Sequence, residues 1–164
     1  MSADELRLPT VAVSVQLAVG PHDTWYERGE LFLTEEASQR LLLDALAELL
    51  ESSVQFVPFR SGDRVRLIAK SAIVYVAIPG DTETPPPTAE AELVLYDRQH
   101  RVEVLLVQGT RFEGLLLDNS PAAHPRAIDH LNSARQFVRL WTASEQLLIS
   151  KSQIATVAEL GEAS

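Results

Sequence analysis

Histidines, carboxylates and a serine gather in one stretch, "DNSPAAHPRAIDH" (Asp118 to His130), and two chemistries fit such residue types. Imidazole and carboxylate ligate zinc or iron, so His124, Asp129 and His130 form a candidate metal set. A closed site needs further ligands, and no two of these histidines stand at the i, i+4 spacing of one helix face. Asp118, Ser120 and His124 supply the residue types of a serine hydrolase. No G-x-S-x-G elbow lifts Ser120 into a reactive position, and Asn119-Ser120-Pro121 reads as a turn. Loop histidines and an ordinary turn are therefore the expectation, with no catalytic residue, no metal and no cofactor.

Composition narrows the remaining chemistry. The 164 residues contain no cysteine, which excludes disulfides, thiolate metal sites and a cysteine nucleophile. Lys and Arg number 14 against 23 Asp and Glu, and a net charge of -9 repels phosphate backbones unless basic residues collect on one face. The hydrophobic fraction of 46% is ample for a core, yet no run of about 18 apolar residues suggests a membrane span. "MSADELRLPT" has neither the basic nor the apolar region of a signal peptide. A soluble, cytoplasmic protein is expected.

The elements that would position any site are stated twice. Gln55, Phe56, Val57, Leu67, Ile68, Lys70, Ser71, Ile73, Val76 and Ala77 each recur 81 positions later, from Gln136 to Ala158, without a gap. Earlier matches are looser: Val13, Val15, Leu17 and Gly20 align with Val102, Val104, Leu106 and Gly109, and the strand after Gly29 aligns with the one after Gly114. Ordered matches of this kind predict an internal duplication. The expected organisation is a first repeat over 10–78, a proline-rich linker over 79–90 and a second repeat over 91–160. Three consecutive prolines in "PGDTETPPPTAE" favour polyproline II, hence a semi-rigid spacer.

Each repeat reads as strand, strand, helix or loop, then three strands. "VAVSVQL" alternates like a half-buried strand, as "RVEVLLV" does less cleanly. In "TEEASQRLLLDALAELLESS", Thr34 is a candidate N-cap, Glu35 and Glu36 suit the positive end of the helix dipole, and Leu42, Leu46 and Leu49 share a face. The second repeat has "NSPAAHPRAIDHLNSAR" there, predicting a short helix or structured loop. "VQFVPF", "RVRLIAK" and "AIVYVAI", like "RQFVRLW", "EQLLISK" and "QIATVAE", predict strands, with each Lys-Ser pair a tight turn between the last two. The fold class is thus mainly β with one or two helices: two tandem five-stranded small barrels or strongly bent sheets.

These residues resemble a family. "LLVQGTRFEGLLL" is similar to the first motif of Sm-like proteins, a bent hairpin with a turn glycine and a second glycine before the next strand. "LIAKSAIVYV" and "LISKSQIATV" resemble the second motif. The pattern departs in two ways: the clearest helix follows the second strand, and Lys70-Ser71 and Lys151-Ser152 stand where the family usually has Arg-Gly. If the resemblance extended to RNA, bases would lie near Asp129, Asn132, Lys151 and Ser152, with Lys70 and Ser71 in the other copy. A basic strip of Arg60, Arg64, Arg66 and Lys70 would be needed to offset the acidic total. The second half also looks similar to bacterial domains of uncharacterised function with a D-x-LN-x-x-x-x-F pattern. "RSGDR" (Arg60 to Arg64) resembles the R-x-x-x-R element of cyclic-dinucleotide-binding PilZ barrels, but the companion D/N-x-S-x-x-G element is missing, and Ser61, Gly62 and Asp63 suit a hairpin turn.

Aromatic residues are few, at 6%, and Trp25, Tyr26 and Trp141 are candidate interface anchors; the alternative is that they plug an end of each unit. A unit of about 70 residues is marginal alone and leaves strand edges to hide. A non-enzymatic scaffold or adaptor is therefore expected, binding a protein partner or forming a homo-oligomer, without membrane contact. RNA or nucleotide binding is the alternative.

Overall fold

Apolar residues at alternate positions bury one face of a strand, and Val11, Val13 and Val15 do so here, almost wholly shielded from solvent. The computed structural model describes residues 10–21, 23–33, 42–79, 98–118, 131–132 and 135–162. The chain divides into two compact units, 1–78 and 79–164. Both are mainly β.

In the first unit, β1 (Thr10–Ala18) pairs antiparallel with β2 (Thr24–Phe32), placing Val11 opposite Leu31 and Val13 opposite Gly29. Helix α1 (Leu42–Glu51) follows, and Ala45, Leu46 and Leu50 are buried on one side of it. Next come β3 (Phe56–Ser61) and β4 (Arg64–Ala69), joined through Gly62 at φ 64. A two-residue loop with glycine first matches the turn that the twist of a hairpin prefers. A 3-10 turn (Lys70–Ala72) leads to β5 (Ile73–Pro79), which returns to pair with β1. The strand order is β5-β1-β2-β3-β4. Fully buried Leu31, Leu46, Leu50 and Phe59 anchor the core, each contributing about 1.5–3 kcal/mol by burial.

The second unit contains β6 (Arg98–Leu106), β7 (Arg111–Asp118), β8 (Phe137–Trp141), β9 (Glu145–Ser150), a 3-10 turn (Lys151–Gln153) and β10 (Ile154–Glu162). Its strand order is β10-β6-β7-β8-β9, the order of the first unit with five added to each number. Register agrees as well. Phe56 faces Ala69 as Phe137 faces Ser150, and Val15 faces Val76 as Val104 faces Val157. The ladder slips between Gln16 and Leu17 in one unit and between Ile154 and Thr156 at the matching place in the other.

Glycine is required at one position in each unit for the same reason. A Cβ on Gly29 would collide with the Arg60 carbonyl oxygen, and one on Gly114 with the Trp141 carbonyl oxygen. β3 and β8 can therefore lie close against the strands that precede them only because no side chain intervenes.

One expectation needs correction. Neither unit closes into a barrel: β4 and β5 end the first unit's order, and β9 and β10 the second's. The Lys-Ser segments form the tight turns expected of them, each a 3-10 turn between the last two strands of its unit. The linker lies outside the described residues apart from Pro79. So does most of the expected second helix, apart from Leu131, Asn132 and Arg135, and so do Thr34, Glu35 and Glu36. Among the described residues, no helix is long and apolar enough to cross a membrane.

Candidate functional site

The β3–β4 hairpin has two different faces because its residues alternate. Val57, Phe59 and Ile68 point to the core and are at most 4% exposed. On the opposite face stand Phe56, Pro58 and Arg60 from β3, directly across from Ala69, Leu67 and Val65 of β4. Here large apolar groups meet solvent: Phe56 and Val65 are each 54% exposed and Leu67 is 70% exposed. Apolar side chains clustered on one strand pair, and not scattered, mark a surface that gains by being covered.

The register divides the basic residues anticipated as a strip. Arg60 belongs to the outer face, whereas Arg64 and Arg66 lie opposite Ser61 and Phe59 on the other. Arg60 is engaged: its Nη2 donates to Glu30 Oε2 at 2.7 Å, and its guanidinium lies 5.3 Å from the centre of the Phe32 ring. Arg66 lies over Trp25 at 5.6 Å, and Trp25 packs edge-on against Phe59 with ring centres 6.3 Å apart. Trp25 is thus a half-buried plug at the core margin, whereas Tyr26, one residue on, is 52% exposed on the opposite face. Trp141 is half-buried and sits across from Gln146.

The Lys-Ser corners have distinct local partners. Helix α1 has no basic residue in its own last turn. Lys70 supplies one from the next hairpin, its Nζ donating to the Leu50 carbonyl at 3.1 Å and to the Ser52 carbonyl. A cation is favoured there because the helix presents unsatisfied carbonyls and the negative end of its dipole. Burial of the ammonium holds its pKa below 10.5, partly opposed by the nearby Glu51 carboxylate. Ser71 is exposed, whereas Ser152 is exposed with its Oγ 2.9 Å from Ser150 Oγ. The Lys70 and Lys151 amides donate to the Gln55 and Gln136 carbonyls, both at 2.9 Å, so each corner is tied back to its own hairpin.

Asn132 is exposed, while Asp129, Ser120, His124, His130 and the Asp118 side chain lie outside the described residues. Among the described residues, no group of three or more His, Asp or Glu is arranged to hold a metal ion.

The second unit presents the same hairpin differently. Phe137 and Leu148, counterparts of Phe56 and Leu67, are 5% and 1% exposed. Arg139, where the first unit has Pro58, is also buried. The last strands invert the relation: β5 is buried from Ile73 to Ala77, whereas in β10 Ala155, Thr156, Ala158 and Glu159 are exposed and Leu160 is 46% exposed. Sequence reasoning did not single out Phe56, Val65, Leu67 or Leu160. The repeat alignment identifies their counterparts but carries no sign of which copy is covered.

Comparison with known proteins finds no matching family model, curated relative or solved structure.

Proposed function

We propose that this protein is a non-enzymatic interaction module, a scaffold or adaptor that assembles with itself or a protein partner, built from two copies of one Sm-like β unit. The duplication is supported by matched strand order, matched register and the shared glycine contacts of Gly29 and Gly114. One observation carries the functional reading: Phe56 and Leu67 stand in solvent at positions whose counterparts, Phe137 and Leu148, are buried. Each exposed apolar group of this size gains roughly 1–3 kcal/mol when removed from water, which favours association.

Size-exclusion chromatography with light scattering tests the reading. The expected result is a mass that is a multiple of the 18.1 kDa chain, or a defined complex with a protein partner, with no excess absorbance at 260 nm. A monomer at high concentration that retains no protein partner from native lysate overturns it. Co-purifying nucleic acid would instead favour binding of RNA, against the division of Arg60 from Arg64 and Arg66 by the sheet.

A further inference from the structure

Each unit contains one strand of the β4 type and one of the β5 type, and each type is covered in one copy only. In the first unit β4 is exposed from Arg64 to Leu67, while its counterpart β9 is buried from Leu147 to Ser150. In the second unit β10 is mostly exposed, while its counterpart β5 is buried from Ile73 to Ala77.

The two exposed strands are complementary. Among the described residues β4 pairs with β3 alone and β10 with β6 alone, so each turns a row of backbone N–H and C=O groups away from its partner. β4 carries Arg64 and Arg66 and no acid; β10 carries the exposed Glu159 and, among its described side chains, no base. Both add exposed apolar groups, Val65 and Leu67 on one and Leu160 on the other. Opposite charge on two otherwise apolar edges favours pairing of unlike edges and opposes pairing of like ones.

We propose that β4 of one copy docks against β10 of a second copy, a head-to-tail contact between different surfaces. Such a contact closes into a ring when its rotation permits and otherwise extends as a filament. The inference rests on the self-assembly reading and specifies its surfaces.

Two full-length variants test it, Leu67→Glu on β4 and Leu160→Glu on β10. Wild-type protein should exceed the 18.1 kDa chain mass in light scattering, and each variant alone should fall to that mass. Mixed in equal amounts, they should form a particle of twice the chain mass, because the intact β10 edge of one meets the intact β4 edge of the other. Variants that assemble as wild type, or a mixture that stays monomeric, overturn the pairing while leaving self-assembly through another surface. A wild-type monomer at every concentration overturns both. Leu67→Cys gives a readout that needs no charge in the sheet, since it would be the sole thiol in the chain. Its maleimide labelling should slow about tenfold between dilute and assembling concentrations. Equal rates at both would overturn the proposal.

Discussion

The hairpins at 56–69 and 137–150 agree in length and register, yet the second is covered on both faces and the first on only one. Phe56 and Phe137 are the same residue in the same ladder position, as are Leu67 and Leu148. The difference teaches that local pattern determines which way a side chain points but not what it meets. Phe137 and Leu148 are buried, whereas Phe56 and Leu67 carry the same chemistry to the surface.

The strongest way to break the equivalence lies in what the hairpins share. Gly29→Ala and Gly114→Ala each drive a Cβ into a backbone carbonyl, and each should cost about 3 kcal/mol or more in urea denaturation. A large loss at one and none at the other would show that the units are not built alike. The next test sharpens the contrast. Leu148→Ala should cost about 3 kcal/mol by leaving a cavity, whereas Leu67→Ala, measured at concentrations too low for assembly, should stay within about 0.5 kcal/mol.

The smallest effect concerns the helix anchor found in the first unit. Lys70→Met removes the donor to the Leu50 and Ser52 carbonyls and should cost about 1 kcal/mol. The pH dependence has a definite sign. The folded-state pKa of Lys70 lies below 10.5, so between the two values the unfolded chain binds more protons. Stability from this group therefore rises as pH climbs through that window, and denaturation midpoints measured across it should lose that slope in Lys70→Met.

Much of the fold was legible in the sequence because it is written in short periods. Alternating valines predict β1, a Gly-Asp pair predicts the β3–β4 turn, and a leucine face predicts α1. Barrel closure was not legible, since it depends on which strand edges meet and not on any period within a strand. The division of the basic residues between two faces was hidden for a related reason. Arg60, Arg64 and Arg66 are close in the chain, but crossing a two-residue turn puts Arg60 on the other side of the sheet from the remaining pair. Of the candidate aromatics, neighbours Trp25 and Tyr26 take opposite faces, one inward against Phe59 and one toward solvent. The exposed cluster of Phe56, Val65 and Leu67 was the least visible part, because burial is a property of what lies across from a residue and not of the residue itself.

The pairing of each unit's first strand with its last also bears on how such units can be strung along a chain. Ser14 faces Ala77, and His100 faces Glu162, so the chain enters and leaves each unit on adjoining strands. A unit with neighbouring ends can be copied and joined in tandem through a linker alone, without cutting any ladder inside it. Two such units can therefore follow one another along a chain with each ladder left intact.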